Sequence, residues 1–176
     1  MNGLLKQDLL DRLTLLDEEA SLLFDDDRRF HLVIVGGSGL LLLETITRAT
    51  HDIDALDLSH ELLNLLEKYD INCRVQTYIN NYPYNYEDRL IPVPINGKKI
   101  DFYTASLEDI IIAKLYSMRP VDRQDIISPE VLSSVDWNRL EHLALSENEA
   151  QASALNERRY KDFLADYEEY VKRYRP

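Results

Sequence analysis

Apolar residues recur along the chain at two spacings, which separate the predicted helices from the predicted strands. Leucines repeat every three or four residues near the beginning, and this spacing predicts an amphipathic helix over Leu4–Leu23. A short run rich in β-branched residues predicts a buried strand over Leu32–Val35. Further strands are predicted at Asp52–Leu58 and Cys73–Ile79, and in a hairpin around Asn96-Gly97 that pairs Leu90–Ile95 with Lys99–Tyr103.

Serine and aspartate residues mark the predicted starts of the helices, because their side-chain oxygens accept the free N–H groups of a first turn. Ser38 is predicted to cap a helix from Gly39 to Thr47, and Ser59 is predicted to cap one over Glu61–Tyr69. An irregular segment rich in Tyr and Asn, Asn80–Asp88, is predicted to be a loop. The later helices are predicted to begin at Ser106 (ending before Pro120), Ser128, Asp136 and Asn148, the last running to Tyr174.

This order of elements predicts an α+β fold, with a mixed β-sheet flanked by helices and a C-terminal helical extension. We divide the chain at residue 120. Residues 1–120 are predicted to form an α/β core with an N-terminal helix. Residues 121–176 are predicted to form a helical region that packs on this core.

Charge and composition narrow the classes of partner and compartment. The 176 residues include 20 Lys and Arg against 32 Asp and Glu, which gives a formal net charge of -12. This balance argues against general DNA or RNA binding and against binding to an anionic membrane. The one cysteine, Cys73, excludes an internal disulfide and a cysteine zinc site. No run approaches the roughly 18 apolar residues that a membrane span requires, so we expect a cytoplasmic protein.

Two carboxylates one residue apart are the first candidates for chemistry. Asp52 and Asp54 lie on a predicted strand, whose period of two places both side chains on one face. Two close carboxylates repel each other, and a hard divalent cation such as Mg²⁺ or Mn²⁺ relieves that repulsion while also binding substrate phosphates. The alternative is that both aspartates are solvated at a strand end.

A glycine turn and a third acid accompany this pair. Gly36-Gly37-Ser38 follows the first predicted strand, where backbone without side chains can approach a phosphate closely. Asp101 lies among apolar residues on a later predicted strand, where an aspartate is costly unless it is paired or binds metal. The alternatives are an ordinary strand-to-helix turn capped by serine, and an edge-strand aspartate paired with Lys98 or Lys99.

Together, these three elements resemble the nucleotidyltransferase superfamily of the DNA polymerase beta type. The resemblance implies a nucleotidyltransferase-like sheet on which Asp52, Asp54 and Asp101 bind the metal and act in catalysis. It further implies that Gly36, Gly37 and Ser38 hold a nucleoside triphosphate, such as ATP or GTP. An NMP would then pass to a hydroxyl acceptor, which is a transfer-RNA end, a protein or a small molecule.

The helical part resembles the bacterial AbiEii-like nucleotidyltransferases, which are associated with toxin–antitoxin and phage-defence systems. The segment Ser106–Arg119 and the following Asp122–Asp125 carry this resemblance, which covers about residues 30–127. It implies that Lys114 and Arg119 contact the triphosphate, that Asp122 or Asp125 orients them, and that a cognate antitoxin or toxin is a partner. On physical grounds, the same residues could equally form a salt-bridge network at a helix end.

Two other classes of function stay open beside the enzyme. One is a catalytically silent module that keeps the nucleotidyltransferase fold and acts with a partner protein. The other is a plain interaction domain in which the motif match is accidental.

Overall fold

A computed structural model describes residues 3–57, 60–117 and 119–176 of the chain. The strands are β1 (Phe30–Val35), β2 (Ile53–Asp57), β3 (Ile71–Asn72), β4 (Ile91–Pro92) and β5 (Ile100–Thr104). They form one five-stranded sheet in the order β3-β2-β1-β5-β4. The sheet is mixed, because β1 pairs antiparallel with β2 but parallel with β5. The α+β class, with a mixed sheet, flanking helices and a C-terminal helix, is therefore confirmed.

The chain divides into two compact units. Unit 1 comprises Met1–Thr77 and Leu90–Ala105, and it contains the sheet; unit 2 comprises Tyr78–Arg89 and Ser106–Pro176, and it is helical. Unit 1 is therefore made of two stretches of chain, separated by a short segment that belongs to unit 2. The division at residue 120 stays a prediction.

Unit 1 surrounds a strand that is almost wholly apolar. All of β1 except His31 is buried, so both faces of the central strand are covered. The helix α1 (Lys6–Leu23) buries the leucine face that its sequence spacing predicts, with Leu9, Leu13 and Leu16 fully buried. Unit 1 also contains two shorter α-helices, α2 (Gly36–Leu42) and α3 (Leu63–Lys68), and a 3₁₀ helix over His60–Leu62.

The predicted strand over Cys73–Ile79 is wrong, because a 3₁₀ helix spans Arg74–Asn81. The side-chain oxygen of Asn72 accepts a hydrogen bond from the backbone N–H of Arg74 at 3.0 Å. An Asn that bonds the backbone two residues later favours a turn over continued strand. The predicted strand end at Leu58 and the predicted cap Ser59 lie outside the described residues.

The predicted hairpin partners do pair, but their connection is longer than a two-residue turn. β4 runs antiparallel to β5, with Ile91 opposite Thr104. The connection passes over buried Asp17 of α1, whose carboxylate accepts backbone N–H bonds from Lys98, Lys99 and Ile100 at 2.7–2.8 Å. Gly97 is required in this connection, because a Cβ there would lie 2.0 Å from the carbonyl oxygen of Ile100.

Three helices of unit 2 begin directly after a predicted cap, Ser106, Ser128 or Asp136, whereas no cap was predicted for the helix that begins at Pro120. Ser128 and Asp136 accept first-turn N–H bonds as predicted. The predicted single helix over Asn148–Tyr174 is wrong, because Asn156 caps a new helix and so divides the segment in two. The helices are α4 (Leu107–Ser117), α5 (Pro120–Ile126), α6 (Pro129–Ser134), α7 (Trp137–Leu145), α8 (Ala150–Ser153) and α9 (Glu157–Tyr174).

A buried ion-pair network holds the short segment Tyr78–Arg89 within unit 2. Arg89 donates to the carboxylates of Asp109 on α4 and Glu149, with N–O distances of 2.9–3.3 Å. Burial raises the pKa of Asp109 despite the hydrogen bonds from Arg89 and Ser106. No helix among the described residues has the length and apolar character that crossing a bilayer requires.

The substitution Asp17→Ala is expected to lower the free energy of unfolding by about 4 kcal/mol or more. It leaves three backbone N–H groups without their shared charged acceptor, and hydrogen bonds to charged groups contribute about 1.5–3 kcal/mol each. Urea denaturation followed by circular dichroism measures the change. Asp25→Ala, at an exposed position just after α1, is the matched control. Equal stability of the two variants would contradict the proposed anchoring by Asp17.

Candidate functional site

The register of β1 with β2 brings the glycine turn to the aspartate pair. Val35, the last residue of β1, lies opposite Asp54 in the antiparallel pairing, and Gly36 follows at once. Gly36 has a φ of +62°, which residues with a side chain rarely adopt. A Cβ on Gly36 would lie only 2.9 Å from Oδ2 of Asp54. Glycine is therefore needed here both for its backbone conformation and for the space next to the carboxylate.

Ser38 forms hydrogen bonds to both β1 and β2 and does not cap a helix. The prediction that it caps a helix from Gly39 is wrong, because α2 begins at Gly36 and its N-cap is Val35. Fully buried, the Ser38 hydroxyl donates to the carbonyl of Val35 at 2.9 Å and accepts from the backbone N–H of Asp54 at 3.1 Å. Because α2 has only seven residues, its dipole is short, and Ser38 mainly fixes the position of Asp54 against the turn.

The two aspartates differ in exposure. Asp52 is exposed immediately before β2, buried Ile53 separates the pair, and Asp54 is half-buried within the strand. The hydroxyl of Thr50 donates to the backbone carbonyl of Asp52 at 3.0 Å and so shapes the approach to β2. Both aspartates therefore lie at the same end of β2, and the carboxylate of Asp54 is the one next to the glycine turn.

Two polar side chains in this region escaped the sequence analysis. A Cβ on Gly37 would lie 3.3 Å from Nη2 of Arg48, so this cation reaches the glycine turn. Asn72 on β3 donates from Nδ2 to Oδ1 of Asp54 at 2.9 Å. Neither has a spacing that marks it in the sequence, because both meet the site only through the fold. Arg48 comes from an irregular loop and Asn72 from a strand of two residues.

Asp101 does not join the other two acids. It lies opposite His31 at the start of β1, whereas Asp54 lies opposite Val35 at the end. Four strand residues correspond to about 13 Å, and the strands of the two acids flank β1 on opposite sides. Metal ions in two-metal sites are only about 4 Å apart, so Asp101 is too distant to share a metal with Asp54.

The surroundings of Asp101 explain its presence on an apolar strand. Arg29 forms a forked hydrogen-bonded ion pair with the carboxylate and also donates to the backbone carbonyls of Gly97 and Lys98. Arg29 lowers the pKa of Asp101 below its ordinary value, against a smaller opposing effect of burial. The alternative of a paired aspartate fits these contacts only in part, because the partner is Arg29 in place of Lys98 or Lys99 and because β5 lies between β1 and β4 and is not an edge strand.

Lys114, Arg119 and Asp122 meet one another within unit 2. Buried Lys114 lies 2.6 Å from a carboxylate oxygen of Asp122 and 2.9 Å from one of Asp125. Arg119 donates to Asp122 at 2.7 Å. Burial would raise the pKa of Asp122, but Lys114 and Arg119 together lower it. These contacts form a salt-bridge network between α4 and α5, and a contact of Lys114 or Arg119 with triphosphate stays a prediction.

Among the described residues, Asp52 and Asp54 offer two carboxylates. Two carboxylates suit a metal ion that takes its other ligands from water and substrate. The described part of the chain contains no group of three or more His, Cys, Asp or Glu side chains arranged to hold a metal ion. Mg²⁺ is commonly bound through one or two carboxylates together with waters and substrate phosphates. The Asp52–Asp54 pair beside a turn without side chains fits that mode of binding.

An open groove of about 650 Å³ in unit 1 adjoins Asp52 and Asn72, but Asp54 does not line it. Asp52 lines one part of it, and the rest is lined by residues of α3, β3 and the turns that follow them. Its charged side chains are Asp52, Glu67, Asp70 and Arg74. The volume lies within the range of small-molecule sites, and carboxylates outnumber the single cation.

Comparisons with known proteins identify the family of the chain. The model of the family described as "Nucleotidyltransferase of unknown function (DUF6036)" matches residues 11–175. No curated protein and no solved structure gives a significant match to the chain. The match therefore covers nearly all of both units and leaves substrate and acceptor open.

Adding a methyl group at each of the two glycines tests the close packing of the turn against Asp54. Gly36→Ala is expected to lower the free energy of unfolding by about 1–2 kcal/mol, because it strains a positive φ and crowds the carboxylate. Gly37→Ala is the matched control, because its new Cβ would meet only the flexible end of Arg48 and the hydroxyl of Thr50. Urea denaturation of both variants measures the difference. An equal cost at both positions would contradict the special environment of Gly36.

Proposed function

Because the chain belongs to this family of nucleotidyltransferases, we propose that it transfers an NMP from a nucleoside triphosphate to a hydroxyl acceptor, using a divalent cation held by Asp52 and Asp54. One observation carries the proposal. The register of β1 with β2 sets Asp54 opposite Val35, so that its carboxylate faces the space left by Gly36. An aspartate pair beside a turn without side chains combines metal ligands with room for phosphate.

Each residue at this end of the sheet has a distinct task in the proposed reaction. Asp52 and Asp54 hold the cation, Ser38 fixes the backbone of Asp54, and Gly36 and Gly37 leave space for the triphosphate. A bound Mg²⁺ or Mn²⁺ would neutralise phosphate charge and the charge that develops on the leaving group. Arg48, which reaches Gly37, is suited to contact the same phosphates.

The proposed transfer is a displacement at the α-phosphorus. The acceptor oxygen forms a bond to this phosphorus, and its proton is released to water. The bond from the α-phosphorus to the oxygen that bridges it to the β-phosphorus breaks, and pyrophosphate leaves. We assign Asp101 no part in this step, since its carboxylate is paired with Arg29 at the other end of β1.

The groove beside Asp52 favours a small acceptor among the three that the sequence leaves open. Its three carboxylates against one arginine would repel the phosphates of an RNA strand, and the net charge of -12 acts in the same direction. A neutral or cationic molecule that carries a hydroxyl group would meet no such repulsion. A protein side chain could also enter an open groove of this size.

We also extend the proposal to a toxin–antitoxin or phage-defence role with a cognate protein partner. It is supported by the AbiEii-like sequence of α4 and α5 alone. The salt-bridge network of Lys114, Asp122 and Asp125 gives those residues a structural reason to be present. Because the toxin–antitoxin or phage-defence role rests on this sequence resemblance, it is separate from the proposal of nucleotidyl transfer.

A second candidate function is a nucleotide-binding module without turnover that acts with a partner protein. The position of Asp101 favours it, because the third acid expected for two-metal chemistry does not reach the pair. Two carboxylates are still enough to bind a metal–nucleotide complex. The two candidates differ in whether bound nucleotide is consumed.

A labelling assay tests the transfer and also separates the role of Asp54 from that of Asp101. Protein is incubated with Mg²⁺, each α-labelled nucleoside triphosphate, and transfer RNA, protein or hydroxyl-bearing small molecules. Asp54→Asn is expected to lower the rate at least about a hundredfold, because it removes charge from the reaction centre. Asp101→Asn is expected to lower it by less than about tenfold, which is under about 1.4 kcal/mol of barrier. An equal loss in both variants would place Asp101 in the chemistry.

Nucleotide binding is expected to raise the melting temperature whether or not turnover occurs. A ligand at a hundred times its Kd stabilises the folded state by about 2.7 kcal/mol. Differential scanning fluorimetry with Mg²⁺ and each nucleoside triphosphate measures the shift, and Asp54→Asn should abolish it. A shift without label transfer to any acceptor would support the silent module. Absence of any shift would count against both candidates.

A further inference from the structure

Asn72 lies directly beside Asp54 in the sheet. The short strand β3 pairs parallel with β2, and the register sets Asn72 at the level of Asp54. Cross-strand partners project to the same face of a sheet, with Cβ atoms about 5 Å apart. The side chain of Asn72 is therefore placed to contact the carboxylate from the side of β2 that faces away from the glycine turn.

Both ends of the Asn72 amide are hydrogen-bonded, which fixes its orientation. Nδ2 donates to Oδ1 of Asp54 at 2.9 Å, and Oδ1 accepts from the backbone N–H of Arg74 at 3.0 Å. A carboxylate only accepts and a backbone N–H only donates, so the amide nitrogen and oxygen cannot exchange places. The bond to Arg74 closes the turn that ends β3, and the same turn orients the donor.

Three of the contacts of Asp54 come from different directions and concern different atoms. Ser38 holds its backbone N–H, Asn72 binds Oδ1, and Oδ2 lies next to Gly36. Since a partial rotation about the bond to the carboxyl group would break the bond from Asn72, that bond fixes the plane of the carboxylate, with one oxygen toward Asn72 and the other toward the turn. An amide does this without adding negative charge beside Asp52 and Asp54.

We propose that Asn72 is a positioning residue, which orients the Asp54 carboxylate so that Oδ2 is presented to a divalent cation at the glycine turn. This inference rests on the proposed function, because it takes Asp54 as a metal ligand. Residues that hydrogen-bond a ligating side chain typically change metal affinity by about 10–100-fold when they are removed. Asn72 on the neighbouring strand thus orients the carboxylate of Asp54. In the sequence alone, Asn72 is only a single polar residue.

Two substitutions separate positioning from the structural role of the turn. Asn72→Ser retains an oxygen that can accept from the N–H of Arg74, but its side chain is too short to reach Asp54. Asn72→Ala loses both bonds. Asn64→Ser, on the exposed surface of α3, is the matched control.

The readout is the binding of Mn²⁺, which electron paramagnetic resonance measures directly. It requires no turnover. Asn72→Ser is expected to weaken Mn²⁺ binding about 10–100-fold while its melting temperature stays close to that of Asn64→Ser. Asn72→Ala is expected to lose affinity to the same extent and to melt at a lower temperature. Wild-type affinity in a folded Asn72→Ser protein would overturn the proposal, as would a loss of affinity that only parallels a loss of stability.

Asp54→Asn distinguishes failure of this inference from failure of the proposed function. If the wild-type protein binds Mn²⁺ and Asp54→Asn binds it equally well, Asp54 is not a metal ligand, and both proposals fall. If Asp54→Asn abolishes binding and Asn72→Ser leaves it unchanged, only the role of Asn72 falls. Loss in both variants, with the control unchanged, supports the two proposals together.

Discussion

The antiparallel pairing of β1 with β2 is the constraint on which the rest of the candidate site depends. Side chains alternate between the faces of a strand, so a slip of one residue in this register would turn Asp54 to the opposite face. The fully buried hydroxyl of Ser38 opposes such a slip, because it binds the carbonyl of Val35 and the N–H of Asp54 at once. One short hydrogen-bonded bridge therefore determines both the strand register and the position of a carboxylate.

In each unit, a buried polar side chain connects a loop or short segment of backbone to a helix. In unit 1, the Asp17 carboxylate of α1 binds three successive N–H groups of the connection between β4 and β5. In unit 2, Arg89 bridges Asp109 and Glu149 and so anchors the segment Tyr78–Arg89, which contains 3₁₀ turns but no α-helix, to the α-helices. Apolar packing alone would leave such backbone without fixed partners. Charged side chains here serve to specify the fold, and charge by itself does not identify a functional site.

The sequence was sufficient to predict what depends on local periodicity and capping. The leucine face of α1, the caps Ser128 and Asp136 and the α+β class all follow from such patterns. It was insufficient where strand pairing decides the outcome. The alternation of residues predicts that Asp101 lies on a strand. It does not predict the register in which β5 pairs with β1. Asn72 was missed for the same reason, because its contact with Asp54 exists only through the pairing of β3.

The two-part construction of unit 1 has a consequence for synthesis on the ribosome. β1 pairs with β2 soon after both emerge, but its other edge waits for β5, since Phe30 pairs with Ile100 seventy residues later. At about 5–20 residues per second, that edge stays open for roughly 4–14 s. An unpaired edge on an apolar strand is a template for aggregation. A nascent chain arrested after Arg89 would thus hold Asp52, Asp54 and Asn72 but would need a chaperone to stay dispersed.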